Sequence, residues 1–455
     1  MGPADLDYTA LIPLLAPHEG APRWRVAWSG GLDSTVLLHL LTVYRQQRPL
    51  APPLLAIHVN HQLQADAADW AAHCGELARS LGVPLRQPTV SVSSSGAGLE
   101  ADARHARYAA LEAGMAPGEV VLFAHHRDDQ AETVMLRLLR GSGLAGLQGM
   151  PRQRAMGRGT LVRPLLSWGR TALEAYARRH RLTWVEDPSN SDLRQDRNFL
   201  RQRVMPLLAS RWPDSVASLV RAAGHLEDAD RALESLLPPL PLWINRFGDV
   251  GLSLDTLLAA EDAVASLQLR RWLRDRGLLV PESRPLKEFL RQLRGDGNRV
   301  RLCGGAWVLE RFAGAVFLLP ATLPECGPPA TLVPGTRVAL PAGSLALEPA
   351  AEGPALRLEA GEVLRLHWRR GGERLLLPGR AGHRRLKTLL QDAGVPPWWR
   401  QRLPLLYLGD ELLAVGDLWL SQSSRYCARG GEGCWRPRWT PALATPKGPL
   451  SPHAD

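Results

Sequence analysis

Seven consecutive residues, Ser29-Gly30-Gly31-Leu32-Asp33-Ser34-Thr35, combine two adjacent glycines, three hydroxyls and one carboxylate. This is the chemistry of a phosphate-binding loop. Glycines lack a Cβ and let backbone N–H groups approach an anion closely, and Ser29, Ser34 and Thr35 add hydroxyl donors. Asp33 would repel a phosphate directly, so its place here calls for a cation between the two, and Mg2+ is the natural companion of a nucleotide. The competing explanation is an ordinary tight turn with a Ser or Asp helix cap. The flanks favour the phosphate loop. RVAWS (25–29) has the composition of a strand, and STVLLHLLTVYRQQ (34–47) that of a helix, whose positive N-terminal end would face the same anion. The loop carries neither the Walker A spacing nor the dinucleotide-binding fingerprint.

Two further segments place charged residues at helical spacing. Within residues 98–108, Arg104 and Arg107 are three apart and share a helix face, so they could clamp phosphates. The plainer reading is local pairing, because Glu100 precedes Arg104 by four residues. Within Ala124-His125-His126-Arg127-Asp128-Asp129-Gln130-Ala131-Glu132-Thr133, Asp129 and Glu132 share a face near a helix N-terminus, where carboxylates are stabilised. They could hold a cationic substrate, bind Mg2+ or take a proton, and His125 could orient a base or accept a proton. Capping by Asp128 or Asp129 is the competing explanation.

These residues need elements to hold them. From Arg25 to about Trp212, short apolar runs (25–29, 54–60, 85–92, 119–125) alternate with helical patterns (34–47, 66–81, 99–114, 128–141). That alternation implies βαβ units, a mainly parallel sheet and an α/β domain over 1–212. Ligands of such sheets bind beyond the carboxyl ends of the strands, where the motifs fall. A mainly helical middle domain is expected over 213–320, with two short strands between Val300 and Leu319. A Pro/Gly/Ala-rich linker or domain edge is expected over 321–354, a small α+β domain over 355–440, and a disordered tail over 441–455.

Composition narrows the function. The 455 residues carry 55 Lys or Arg against 45 Asp or Glu, a net charge of +10 that favours a polyanionic partner, nucleic acid above all. Five cysteines without a C-x-x-C pair argue against a zinc site, an iron–sulfur site or a disulfide framework. The N-terminus lacks the pattern of a secretory signal, and no apolar stretch is long enough to span a membrane, so a cytoplasmic protein is expected.

SGGLDS resembles the signature of the N-type ATP pyrophosphatases, or PP-loop family, which cleave ATP between the α and β phosphates and adenylate a substrate. Further motifs resemble the tRNA(Ile)-lysidine synthases within it: His58-Val59-Asn60-His61-Gln62-Leu63; G-x-E-x-x-A-R-x-x-R-Y ending at Tyr108; H-H-x-D-D-Q-A-E-T from His125; L-R-G-S-G-L-x-G-L from Leu139; Asp187-Pro188-Ser189-Asn190; and Arg197-Asn198-x-x-Arg201. Gln62 replaces a common glycine, and Ala67 lies near a common serine.

The resemblance implies that ATP adenylates the C2 oxygen of the wobble cytidine of a CAU-anticodon isoleucine tRNA. The ε-amine of free L-lysine then displaces AMP. It implies that Ser29, Gly30, Gly31, Leu32, Asp33 and Ser34 hold ATP, with Asp33 on Mg2+. Arg104 and Arg107 would contact ATP or the activated nucleotide. His125, Asp129 and Glu132 would receive lysine or cytosine, and Arg197 and Arg201 would stabilise the domain or touch RNA.

The run Arg365–Lys387 holds eight Lys or Arg and one acid, Glu373, with Trp368 inside it and Trp398 and Trp399 beyond. A solvated basic face with core tryptophans would give the same pattern. Beside the family resemblance, Arg369, Arg370, Arg374, Arg384, Arg385 and Lys387 are expected to contact tRNA. No protein partner is expected except a second copy of the chain, a homodimer being left open. Two other functions compete. A sulfur-transferring relative would need cysteines in its motifs, and these have none. A catalytically dead RNA-binding protein would be free to lose SGGLDS, Asp129 and Glu132, which are intact.

Overall fold

The computed structural model describes residues 6–60, 67–90, 99–295, 297, 300–443 and 446. His61, Gln62, Leu63 and Gly98 of the motifs lie outside the described residues, as do the side chains of Glu100, Ser189 and Asn190 and most of the 441–455 tail. The chain divides into two compact units, one ending at Leu236 and the other beginning at Leu237.

In the first unit, β1 (Trp24–Ala27), β2 (Leu54–Ile57), β3 (Leu85–Arg86), β4 (Val120–Leu122), β5 (Gln153–Met156) and β6 (Gly159–Val162) form one sheet in the order β3-β2-β1-β4-β6-β5. All run parallel except β5, which is antiparallel to β6. The polar sequence of β5 hides it, and a turn at Gly157, at φ +53°, reverses the chain into β6.

Alternation along the strands builds two cores. Val120 and Leu122 join Trp24, Val26, Leu37 and Leu173 on one face, and Val121 joins Leu55, Ile57, Tyr108 and Leu111 on the other. Arg25 faces the second side and is buried. Its Nε donates to Glu119 Oε2 at 2.6 Å, and its Nη1 to the carbonyls of Leu111 and Ala113 at 3.1 and 3.0 Å. It therefore satisfies the end of the helix Leu99–Glu112, which leads into β4, as well as an internal carboxylate.

Besides short helices at Ile12–Leu15 and Leu144–Leu147, the helices are labelled α1 (Leu32–Gln47), α2 (Ala67–Ser80), α3 (Leu99–Glu112), α4 (Arg127–Leu139), α5 (Arg170–Arg179), α6 (Asp196–Phe199), α7 (Met205–Arg211) and α8 (Ser215–Leu236). One wide turn, Leu200–Val204, joins α6 to α7. Helix α8 follows the boundary drawn at residue 212 but packs on α4, and Asp230 Oδ2 accepts Gln148 Nε2–H at 2.6 Å. The first compact unit therefore runs on to Leu236.

The second unit opens with a five-stranded sheet containing Leu242–Ile244, Val250–Ser253, Arg301–Cys303, Trp307–Phe312 and Ala315–Pro320. Helices Leu254–Ala259, Asp262–Arg274 and Ser283–Arg294 share its core. The last buries Leu286, Phe289, Leu290 and Leu293 at one helical stripe. The 321–354 stretch carries strands Ala330–Leu332, Arg337–Leu340 and Gly343–Pro349, which enter two five-stranded sheets with the rest of the C-terminal region. Gly343–Pro349 pairs along its length with Cys434–Pro441, so the start of the expected tail is also strand.

Trp398 and Trp399 are core residues, 4% and 0% exposed, and cannot stack on RNA bases. Both indole N–H groups donate to Asp249 Oδ2, at 2.8 and 2.7 Å. A buried carboxylate needs such donors, and this one lies about 150 residues earlier in the chain, where the sequence gives no hint of it.

Among the described residues no helix is long and apolar enough to cross a membrane.

Candidate active site

Strands β1 and β4 are neighbours, and the chain order runs outward from them in opposite directions. A crevice opens beyond the carboxyl ends of such a pair. The loop after β1 is Ser29–Gly31, and the segment after β4 leads into His126, the N-cap of α4.

Gly30 takes φ +85°, and a Cβ there would meet the Cys74 sulfur at 2.8 Å, so both conformation and space require glycine. Its carbonyl accepts the Val185 N–H at 3.0 Å and the Thr35 hydroxyl at 3.4 Å. The Ser34 hydroxyl donates to Gly31 O at 3.1 Å and accepts the Ser29 N–H at 3.2 Å. Ser34 and Thr35 thus hold the loop from within, because the loop carbonyls need donors. Ser29 is the exposed hydroxyl of the three. Gly31 caps α1 without a side chain, so the first-turn N–H groups face outward as an anion site.

His126 is buried, 1% exposed. Its Nδ1 accepts the N–H groups of Asp128 and Asp129 at 3.2 and 3.4 Å, and Asp129 Oδ2 accepts the His126 N–H at 3.0 Å. This reciprocal cap starts α4. Nε2 lies 3.6 Å from Asp33 Oδ2 and 3.3 Å from Asp129 Oδ2. Burial disfavours charge on the ring, but Asp129, Asp128 and Asp33 outweigh it and pull the pKa up to about 10. The cap is incompatible with a proton on Nδ1. The hydrogen bonds therefore assign the neutral tautomer with its proton on Nε2, despite that pull.

Asp129 and Glu132 form a compact cluster with Arg197 and Arg201. Asp129 Oδ1 accepts Arg197 Nη2–H at 3.1 Å and Arg201 Nη2–H at 2.7 Å. Glu132 Oε1 accepts Arg201 Nε–H at 2.7 Å, and its Oε2 accepts Arg197 Nε–H at 3.0 Å and Arg201 Nη2–H at 2.9 Å. Burial raises the Asp129 pKa, but neighbouring positive charge, that of His126 and His125 whenever those rings are protonated and that of Arg197 and Arg201 always, dominates and holds it far below the ordinary carboxylate range. Two carboxylates balance two guanidiniums here, Arg197 from α6 and Arg201 from the wide turn that follows it. Arg201 is also close enough to Asp33 to feel its charge.

His125 lies on the Phe123 ring, centroids 5.5 Å apart, and its Nδ1 accepts the Arg163 Nε–H at 3.1 Å. Arg104 lies over the Tyr108 ring at 5.2 Å. Arg107 bears on the charges of His58 and Asp187, which ties α3 electrostatically to the base of the loop.

The basic run lies in the second unit. Arg374 and Arg385 are exposed and directly opposite each other in the pairing of Arg374–Leu375 with Arg384–Arg385. Arg370 and Lys387 are also exposed, Arg384 pairs with Asp392 at 2.7 Å, and Arg369 lies 3.8 Å from Glu373.

Three families cover most of the chain: the PP-loop domain matches residues 8–208, the TilS substrate binding domain 252–317, and the TilS substrate C-terminal domain 364–439. The chain is 45% identical to the tRNA(Ile)-lysidine synthase of Pseudomonas aeruginosa, across 96% of this chain and 97% of that one. It is 42% identical to that of Alkalilimnicola ehrlichii, across 92% and 94%. The chain belongs to the tRNA(Ile)-lysidine synthase family.

For this lysidine synthase family member, sequence reasoning missed three residues that shape the site. Cys74 packs under Gly30, with its sulfur 3.6 Å from His58 Nδ1, and burial pushes its thiol pKa up to about 12, so it is inert filling. Arg163 fixes His125 from β6 and its C-terminal flank, and Val185 ties the loop through its backbone. None of them belongs to a local motif. His126 was within the motif, but its spacing gives no sign that it faces Asp33.

Asp33 also offers a direct test of whether the loop suits Mg2+. Its Oδ1 is buried without a hydrogen-bond partner. An anionic oxygen left without a donor beside a phosphate loop fits a hard divalent cation.

Proposed function

We propose that this chain is an ATP-dependent ligase that joins free L-lysine to C2 of the wobble cytidine of CAU-anticodon isoleucine tRNA, releasing AMP and pyrophosphate. That change turns decoding from AUG to AUA. The observation that carries the proposal is the meeting of two elements at the strand-order reversal. The SGGLDS loop and the start of α4 approach until Asp33 Oδ2 and His126 Nε2 are 3.6 Å apart.

Within this reading, the backbone of Gly30 and Gly31 and the first turn of α1 receive the ATP phosphates, with the Ser29 hydroxyl beside them. Asp33 would hold Mg2+, which when bound offsets the charge that develops on departing pyrophosphate. Asp129 and Glu132 act by orienting Arg197 and Arg201, whose charges answer the phosphates. This reading gives the two carboxylates the positioning of arginines as their first task, because both Glu132 oxygens and Asp129 Oδ1 accept guanidinium donors while Asp129 Oδ2 accepts the His126 N–H. Arg163 occupies Nδ1 of His125, which leaves the ring proton on Nε2 and makes His125 a hydrogen-bond donor rather than a base. The lysine amine must be neutral to attack. Guanidinium charge near the bound amine, as Arg104, Arg107 or Arg201 would supply, favours that form.

In the second unit, Arg374 and Arg385 place like charges opposite each other, an arrangement that costs stability by itself and gains from an RNA phosphate. Arg370 and Lys387, both exposed, add positive charge close by in the chain, whereas Arg369 and Arg384 already have Glu373 and Asp392 beside them.

The test is the ATP product. Purified protein with Mg-ATP should release AMP and pyrophosphate only when both CAU tRNA and lysine are supplied for turnover. Release of ADP and phosphate would contradict the proposal.

A further inference from the structure

We propose that His126 is a positioning residue that holds the Asp33 carboxylate for a divalent cation, and is not merely the cap of α4. The inference rests on the reading of Asp33 as a metal-holding group.

The two ring nitrogens have separate tasks. Nδ1 accepts the first N–H groups of α4 and so fixes the ring to that helix. Nε2 is thereby held where Asp33 Oδ2 and Asp129 Oδ2 converge, at 3.6 and 3.3 Å. Capping needs only an acceptor on a short side chain, and Asn or Ser supplies one. Imidazole is longer, and its second nitrogen reaches a different element of the fold. Asp33 is 29% exposed at its side chain and carries one buried oxygen without a partner, so its other oxygen is the one His126 can steady. Asp129 in turn is tied to Arg197 and Arg201. The series Arg201–Asp129–His126–Asp33 thus connects the turn between α6 and α7 to the phosphate loop, with the last step a charge contact, since Nε2 makes no hydrogen bond here. Its place is that of the outer partners that orient the ligands of metal sites.

Two variants separate the roles. His126→Asn keeps an N-cap acceptor and loses the reach to Asp33, and His126→Ala loses both. Mn2+ binding would be titrated by electron paramagnetic resonance, with a non-cleavable ATP analogue present, beside the melting temperature of each variant and an Asp33→Asn control. The expected result is a melting temperature for His126→Asn close to that of the unmodified protein, with Mn2+ affinity reduced about tenfold or more. Asp33→Asn should lose Mn2+ binding more completely. Unchanged Mn2+ affinity in His126→Asn, with the loss intact in Asp33→Asn, would overturn the positioning role alone. Unchanged affinity in Asp33→Asn would instead overturn the metal-holding reading. If His126→Asn unfolds, the measurement passes to His126→Gln, whose amide is long enough to approach Asp33. Restored Mn2+ binding there supports the inference, and a folded His126→Gln with none overturns it.

Discussion

Arg201 grips Glu132 with two nitrogens, Nε to Oε1 at 2.7 Å and Nη2 to Oε2 at 2.9 Å, while Glu132 is only 2% exposed. Removing the guanidinium leaves a buried carboxylate short of donors, a change that costs about 3–5 kcal/mol in comparable pairs. Arg201→Ala should therefore lower the melting temperature of the first unit markedly, and Glu132→Gln in the same background should recover part of the loss. A stable Arg201→Ala protein would show that the cluster contributes nothing to folding.

Asp129 gives the acid limb of the stability curve. Its folded pKa is depressed below the unfolded value of about 3.9, so its contribution is complete above about pH 4 and is lost as pH falls below that. Denaturant unfolding between pH 6 and pH 2.5 should show stability falling on the acid side. Asp129→Asn should be less stable at pH 6 and show a shallower fall. An identical slope in both proteins would remove Asp129 from the account.

Gly30 tests the loop. Alanine there faces both φ +85° and a 2.8 Å approach to the Cys74 sulfur. The backbone conformation alone costs about 1–2 kcal/mol, so Gly30→Ala should weaken ATP binding by about tenfold. Adding Cys74→Gly should restore only the part due to crowding. Full recovery would show that backbone conformation is immaterial.

The opposed Arg374 and Arg385 should behave in the opposite sense. Arg374→Ala with Arg385→Ala relieves a like-charge pair, so the free protein should be as stable or slightly more so. The KM for tRNA should rise, and the slope of log affinity against log salt should become shallower by about one for each phosphate that is no longer neutralised. The KM values for ATP and lysine should stay where they are. An unchanged KM for tRNA would place RNA binding elsewhere.

How much of this was legible in the sequence depended on how local each relationship is. The phosphate loop and the α4 motif could be read because a glycine pair, a cap and an amphipathic helix are short-range patterns. The parallel sheet followed from the alternation of strands and helices. The Arg197 and Arg201 contacts could not be read, since they join residues 65 to 72 positions apart. Trp398 and Trp399 looked like aromatics of a basic face because their partner, Asp249, is remote in sequence. Residues 321–354 looked like a linker because proline and glycine obscure strands that only long-range pairing stabilises.

The most direct measurement of the central claim follows radiolabelled lysine into RNA. Protein, Mg-ATP and CAU-anticodon isoleucine tRNA would be incubated together, the RNA digested to nucleosides and the labelled product identified, with Asp33→Ala alongside. The account predicts label on a single modified cytidine, dependent on ATP and lost in Asp33→Ala. Label absent from RNA while ATP is still cleaved to AMP and pyrophosphate would contradict it.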